Sequence, residues 1–274
     1  MSGNQAGVTI EDVSKTFTVR TGKHVQEIHV LDHVSLRAEP GEIIALTGLS
    51  GCGKTTLLRI LLGLERASAG RVTVDGTEVT GCGADRAMVF QDAQLFPWRT
   101  ALENVEFALE ARGVPKQERR RTAMEKLELV GLGHAVDRRP DQLSGGMQQR
   151  VGLARALSVD PAVLLMDEPF GALDAQTREG LQAEVLRIHQ ETGKTIILVT
   201  HDLDEAVLLA DRVVLMVPAP GRIDTVFPVD LPRPRTDLVT VRGFPEFSTK
   251  RYEIWRRLMA GAHEQSATAA PATA

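Results

Sequence analysis

The chain has 274 residues, 43% of them hydrophobic and 25% charged, which is enough for one large or two modest domains with a real buried core. A formal net charge of -4 argues against broad electrostatic attraction to nucleic acid or an anionic bilayer, and two cysteines, Cys52 and Cys82, make no disulfide framework. No apolar run approaches the roughly 20 residues that cross a bilayer, and Met1-Ser2-Gly3-Asn4-Gln5 opens no basic-then-apolar leader, so the expectation is a soluble chain in a reducing compartment.

The first elements read as an antiparallel sheet with one wet face: the stretches 8–13, 16–19, 28–31 and 34–36 are short and β-like, with period-two alternation. Phe17, on the second stretch, fits either an ordinary sheet position or a platform on which a flat ring stacks. The run 42–47 is apolar and β-branched like a buried parallel strand, and 56–62 reads as a helix. Between them, Gly48-Leu49-Ser50-Gly51-Cys52-Gly53-Lys54-Thr55 fits the phosphate-loop pattern G-x-x-x-x-G-K-[ST] at every fixed position. A triphosphate is a dense anion, and the N–H groups at a helix N-terminus are a ready-made partner for it. Glycines let that backbone close in, Lys54 can reach the β- and γ-phosphates, and the Thr55 hydroxyl can hold Mg²⁺. A thiol among those N–H groups, that of Cys52, is expected to be alkylated unless a bound triphosphate protects it, and its alkylation to block the site.

Further along, 70–76 reads as a strand closing in an Asp75-Gly76 turn, and 87–90 as a strand ending at Gln91. A carboxamide at the carboxyl edge of an open sheet can reach a metal or a water, although a plain loop glutamine fits equally. From Pro97 to Pro161 the pattern turns helical, with Leu102, Val105 and Leu109 on one face and a second helix over about 116–130, on which Arg119-Arg120-Arg121 reads as a solvated face. Within this region lies Leu143-Ser144-Gly145-Gly146-Met147-Gln148-Gln149-Arg150, where Ser144 suits an N-cap and the N–H groups behind it form a second anion site.

The fully apolar strand 162–166 ends in Asp167-Glu168-Pro169, and two acids at the tip of a buried strand need a reason. Beside a magnesium nucleotide, Asp167 can hold the metal's water shell and Glu168 can polarise the water that attacks the γ-phosphate. A helix from 175 places Leu181, Val185 and Ile188 at core spacing, and the buried strand 195–200 ends at His201, whose imidazole can donate to the γ-phosphate. Strands ending at Thr47, Gln91, Asp167 and His201 thus deliver polar groups to one edge of one sheet.

These motifs, in this order, resemble the ATP-binding cassette ATPases, the nucleotide-hydrolysing subunits of ABC transporters, over roughly residues 8–216. The resemblance implies an α/β fold of the P-loop NTPase, ABC-ATPase type: a mixed β core with a parallel sheet, an antiparallel β subdomain and an inserted helical subdomain at about 97–161. It makes Gly48, Leu49, Ser50, Gly51, Cys52, Gly53, Lys54, Thr55 and Thr56 the Walker A loop, Gln91 the Q-loop, and Ser144, Gly145 and Gly146 the signature after Leu143. The run 163–168 becomes the Walker B strand with Glu168 as base, Ala172-Leu173-Asp174 the D-loop and His201 the switch histidine. By the same resemblance Phe17 stacks on adenine, where the family often has tyrosine; Thr55, Gln91 and Asp167 hold Mg²⁺; and Glu168, His201, Gln91 and Lys54 carry catalysis.

The family's working unit is a head-to-tail dimer in which each ATP lies between the Walker A loop of one subunit and the signature of the other, here a homodimer or a pair with a paralogue. The stretch 90–99, the pair Pro169-Phe170, 220–223, 231–235 and 244–255 look like the nitrate/sulfonate/taurine importer group. That implies transmembrane permease subunits, an external solute-binding protein, no nucleic acid, a peripheral place on the cytoplasmic side of the inner membrane, and uptake of a small anionic solute. A separate-chain exporter, or an importer of another small solute, is the alternative. Phe96 and Trp98 fit either a permease contact or core packing. The expected organisation is a tail at 1–7, the ATPase domain at 8–240, a helical extension at 241–260 and a disordered tail at 261–274.

Overall fold

The computed structural model describes residues 6–21, 24–235 and 237–268. Two sheets organise it. A four-stranded antiparallel sheet runs in the order β2-β1-β4-β5, from β1 (Val8–Thr21), β2 (His24–Ala38), β4 (Ala69–Val74) and β5 (Thr77–Glu78). A six-stranded sheet runs β10-β9-β3-β8-β7-β6, from β3 (Ile43–Gly48), β6 (Arg86–Val89), β7 (Val163–Asp167), β8 (Thr195–Val199), β9 (Arg212–Val217) and β10 (Arg222–Pro228). All neighbours in this second sheet are parallel except β10, which closes the edge antiparallel to β9.

The four short stretches expected near the N-terminus are two long bulged strands. Register shifts between Ile10 and Thr16 accommodate residues that break the alternation, and Asp12 and His33 take positive φ there, at 54° and 51°. Their backbones remain satisfied: Asp12 N donates to Ser35 Oγ at 2.9 Å and His33 N to Ser14 Oγ at 3.0 Å. Ala6, expected in a tail, is buried, and its carbonyl accepts the Thr195 hydroxyl at 2.7 Å; residues 1–5 of that tail lie outside the described residues.

The central strands are apolar because both faces of the sheet are covered: every residue of β3 and of β8 is buried. Period two sends Ile44 and Leu46 into a core with α1 (Lys54–Leu62) and the antiparallel sheet. Ile43 and Ala45 enter the other core, with α2 (Ala101–Glu110), α3 (Lys116–Leu129), α4 (Gly145–Ser158), α5 (Ala175–Thr192) and α6 (Leu203–Leu209). The helical region inserts between β6 and β7 as expected. α2 starts at a reciprocal cap in which Thr100 Oγ1 accepts Glu103 N at 3.2 Å and Thr100 N donates to Glu103 Oε2 at 2.8 Å, an arrangement typically worth about 1 kcal/mol.

After β10, α7 (Leu238–Arg242) and α8 (Pro245–Thr268) fold back, α8 packing on α6 and β9 through buried Phe247 and Ile254. α8 continues to Thr268, into the stretch expected as a tail from 261, because Ala260, Ala262, Glu264 and Gln265 favour helix and the first proline comes only at Pro271. Residues 269–274 lie outside the described residues. No helix among the described residues is long and apolar enough to cross a membrane.

Candidate nucleotide site

β3 delivers the chain into the glycine loop, and α1 starts at its end. Gly53, the residue before α1, has φ 87°, and a Cβ there would sit 2.5 Å from Leu31 Cδ2 of β2. Gly48, at φ 147°, comes so close to β9 that a Cβ would lie 2.1 Å from Met216 O. The loop is therefore held by strands far away in sequence, with its N–H groups at the start of α1. Above it lies an open cavity of about 690 Å³, lined by Val30, Gly48, the loop residues 50–56, Glu168 and His201.

Lys54, though only 8% exposed, keeps its ammonium on its own loop: Nζ donates to Gly48 O at 2.9 Å and Leu49 O at 3.2 Å, and lies 3.5 Å from Cys52 Sγ. Carbonyls hold the charge in place here, where an incoming phosphate gives it a stronger partner. Thr55 Oγ1 donates to Asp167 Oδ1 at 3.2 Å. Burial pushes the Asp167 carboxyl up, the Thr55 hydrogen bond pulls it partly back, and the neighbouring Glu168 charge raises it further. Among the described residues no group of three or more His, Cys, Asp or Glu could hold a metal ion. A threonine hydroxyl beside one carboxylate is nonetheless the donor set that suits Mg²⁺, which takes most of its ligands from phosphate and water.

Glu168 sits at φ 45°, a left-handed conformation that costs a non-glycine residue about 1–3 kcal/mol and collects at functional sites. Its N–H donates to Val199 O at 2.9 Å, so the turn after β7 is pinned to the end of β8. That brings Glu168 Oε2 to 3.2 Å from His201 Nδ1. Gln91 is exposed and does not line the cavity, but it is close: a methyl added at Gly171 would meet Gln91 Nε2 at 3.8 Å and Glu168 Oε2 at 3.9 Å.

Other expected residues fall elsewhere. Phe17 is half-buried, pairs with Ile28 across β1 and β2, carries the Lys15 ammonium 4.5 Å above its ring, and does not line the cavity. Neither Ser144, Gly145 and Gly146 nor Asp174 lines it. Ser144 caps α4, its Oγ accepting from Met147 N at 3.3 Å, and Asp174 caps α5, accepting from Thr177 N at 3.0 Å and Thr177 Oγ1 at 2.7 Å. Those bonds hold the Asp174 carboxyl below the usual carboxylate range. The two caps adjoin, and Gly146 is the reason: a Cβ there would lie 2.0 Å from Thr177 Cγ2, so only glycine lets α4 start against α5.

The reactivity expected of Cys52 is corrected. Its side chain is fully buried, and burial pushes the thiol up despite the nearby Lys54 charge, whereas Cys82 is exposed. Sequence reasoning also missed part of the wall. Val30 lines the cavity, and Gly221 lies so close beneath that a Cβ would meet Cys52 O at 2.2 Å.

Trp98 is 66% exposed, which excludes core packing for it. It belongs to a surface cluster with Phe96 at 5.5 Å; Phe107 lies edge-on to Phe96 at 4.6 Å, and the Arg99 guanidinium sits above Phe96 and Phe107. Buried Asn104 holds this turn, accepting Phe96 N at 2.7 Å and donating to Thr100 O at 2.9 Å.

A glycine loop at the head of a helix, the glutamate after β7 and the histidine after β8 converge on one cavity, with Asp167 at the end of β7 bonded to the loop's Thr55, while a second capped helix stands outside it. Residues 31–171 match the family model described as ABC transporter. The chain belongs to the ABC transporter family. It is 50% identical to the uncharacterized ABC transporter ATP-binding protein MJ0412 of Methanocaldococcus jannaschii, over 82% of this chain and 83% of that one. It is 45% identical to the taurine import ATP-binding protein TauB of Roseobacter denitrificans, over 90% of this chain and 92% of that one. It is 46% identical to the bicarbonate transport ATP-binding protein CmpC of Synechococcus elongatus over 90% of this chain, but spans only 37% of that longer protein. Among solved structures, the dimeric post-hydrolysis state of the ATP-binding cassette MJ0796 bound to ADP and Pi superposes with a TM-score of 0.69 at 32% identity, over 81% of this chain and 98% of that one. The fold is thus that of an ABC ATPase, and the chain is an ABC transporter subunit that binds and hydrolyses ATP.

Proposed function

We propose that this ABC ATPase powers uptake of a small anionic solute through separate permease subunits, working as a dimer whose two nucleotide sites are each completed by the other protomer. The carrying observation is that the cavity over the phosphate loop is open and lacks the Ser144–Gly146 cap, whose N–H groups suit a second phosphate contact. The names of TauB and CmpC, and the dimeric state of the MJ0796 cassette, support the cargo class and the assembly.

In this reading Gly48, Leu49, Ser50, Gly51, Cys52 and Gly53 wrap the phosphates with backbone N–H groups, helped by Thr56 at the start of α1, while Phe17 offers its ring to the adenine. Lys54 leaves its own carbonyls for the β- and γ-oxygens. Thr55 and Asp167, joined by Gln91 from the Glu168 side, would hold Mg²⁺, which when bound neutralises phosphate charge. Glu168 takes the proton of the attacking water, and His201, beside it, donates to the γ-phosphate. Ser144, Gly145, Gly146 and Asp174 of the second protomer close the far side. ATP then acts as glue between protomers, and hydrolysis removes it.

The segment from Gln91 to Trp98, ending in the exposed aromatic cluster, is the surface for a permease helix, so the subunit sits peripherally on the cytoplasmic face of the membrane. Residues 8–240 form the ATPase domain, with a helical extension at 241–260 that takes in the end of α7 and much of α8. Complementation tests the composite site. Lys54→Ala and Ser144→Lys proteins are each inactive alone, yet a 1:1 mixture regains about a quarter of wild-type turnover, because half the dimers are mixed and each mixed dimer holds one intact site of two. A mixture as inactive as its components would count against it. For the cargo, chromosomal Glu168→Gln is expected to abolish taurine or bicarbonate uptake; lost efflux with normal uptake would overturn the importer reading.

A further inference from the structure

Beneath His201 lies a buried polar cluster that the site as described does not use. Glu205, on α6, is 5% exposed, and its carboxylate accepts Thr200 Oγ1 at 2.6 Å and Gln182 Nε2 at 3.2 Å. Thr200 is the residue immediately before His201. Its hydroxyl also accepts Asp202 N at 3.0 Å, and its N–H donates to Leu46 O at 3.1 Å. The residues on both sides of His201 are therefore fixed through one hydroxyl, and that hydroxyl is aimed by Glu205.

The same cluster reaches α5. Arg178 Nη2 donates to Leu173 O at 3.0 Å, in the turn that leads into Asp174. Its Nε is buried without a hydrogen-bond partner, 3.9 Å from Glu205 Oε1, and Nη1 stands 4.0 Å from Asp202 Oδ2. Gln182 Oε1 is likewise buried and unbonded. Arg178 Nε faces the Glu205 carboxylate at a range where the two charges attract but beyond a hydrogen bond, so the pair links α5 to α6 electrostatically. We infer that Glu205 is a positioning residue for His201, and that Arg178 ties both to the turn bearing Asp174, so that closure of a second protomer on that turn is transmitted to the histidine. The inference rests on the role given to His201 above.

Burial pushes the Glu205 carboxyl up and the Asp202 charge adds to it, while the Thr200 hydroxyl, the Arg178 charge and the Gln182 amide pull it partly back. Glu205→Gln keeps an acceptor for Thr200 but removes the attraction to Arg178. Thr200→Val removes the hydroxyl with little change of shape, and Thr200→Ser retains it.

The test is a double-mutant cycle on steady-state MgATP hydrolysis by the full chain, with melting curves and binding of a fluorescent ATP analogue as controls. Glu205→Gln, Thr200→Val and Arg178→Met are each expected to lower kcat by about tenfold, with KM for ATP within about twofold of wild type, as for a group misplaced only in the transition state. Thr200→Ser restores the rate. In a His201→Ala background Glu205→Gln causes no further loss, because the group it positions is gone. A slowed His201→Ala combined with losses that multiply, or with Glu205→Gln at the wild-type rate, would overturn the positioning role alone. Full turnover by His201→Ala would overturn the reading of the site and this inference with it.

Discussion

Replacing Glu168 by Gln separates binding from chemistry in this site. The change keeps side-chain length and an acceptor oxygen at the position 3.2 Å from His201 Nδ1, and it leaves the Lys54 contacts and the loop N–H groups untouched. His201 is 66% exposed at this pair, so its contribution to stability is at most about 1 kcal/mol and the fold is expected to survive. What the amide cannot do is take a proton. A positioned general base is worth roughly 10²–10⁴ in rate, or about 2.7–5.4 kcal/mol on the barrier. Phosphate release under saturating MgATP should fall by that factor while ATP affinity stays within about twofold, and size-exclusion chromatography in MgATP should show the protein as a dimer that reverts to monomer in ADP. Lys54→Ala provides the contrast. It removes a charge-assisted contact of about 1.5–3 kcal/mol, so ATP should bind roughly ten- to a hundredfold more weakly. Wild-type phosphate release by Glu168→Gln would remove Glu168 from the base role and leave the strained turn at φ 45° without a function.

Three further outcomes follow from contacts outside the phosphate cradle. Gly146→Ala drives a methyl to within 2.0 Å of Thr177 Cγ2, so it should lower the melting temperature by several degrees; Thr177→Ser, which deletes that methyl but keeps the hydroxyl bonded to Asp174, should recover much of the loss, and no recovery would show that the packing is not what requires glycine. Under native conditions a maleimide should label Cys82 quickly and Cys52 only slowly, and two fast thiols by mass spectrometry would contradict the burial of Cys52. Burial holds the His189 imidazole below its ordinary value, with Nε2 2.9 Å from Gly41 O. The folded state then binds fewer protons than the unfolded one, so this contribution to stability is complete above about pH 6.5 and is lost as pH falls below it; a His189→Gln protein should show a flatter dependence of melting temperature between about pH 5 and 6.5, and an unchanged slope would rule the group out.

The fold was legible where chemistry and periodicity coincide. The loop from Gly48 to Thr55 must be local in sequence because a ring of N–H groups at one helix start cannot be assembled from distant pieces, and the apolar runs of β3, β7 and β8 announce strands covered on both faces. Bulges hid the length of β1 and β2. Ser14 and His33 interrupt the alternation, yet in the sheet His33 N donates to Ser14 Oγ, Asp12 N donates to Ser35 Oγ, and the Asp12 carboxylate meets the His33 ring. The end of α8 was hidden by the low complexity of its sequence, although its alanines, glutamate and glutamine suit a helix.

At the site the division is sharper. Residues that must present a particular chemical group at a strand's carboxyl end, Asp167, Glu168 and His201, could be read from type and position alone. Those that set the environment could not, because it is built from elsewhere: Cys52 is sealed by a loop pinned beneath by Gly221 and at its exit by Leu31, and Gly146 is chosen by a methyl thirty-one positions away. The two kinds of information meet at the cavity itself. From the sequence, two anion sites are expected, one in the glycine loop and one behind Ser144, and the sequence would allow both to serve a single nucleotide in one chain. Only the structure leaves the second outside the cavity, with Gly146 spent on packing α4 against α5 and the capped helix start turned to a surface of its own. A site whose chemistry calls for both halves, in a chain that does not bring them together, argues for a partner protomer more strongly than either the motif or the geometry does by itself.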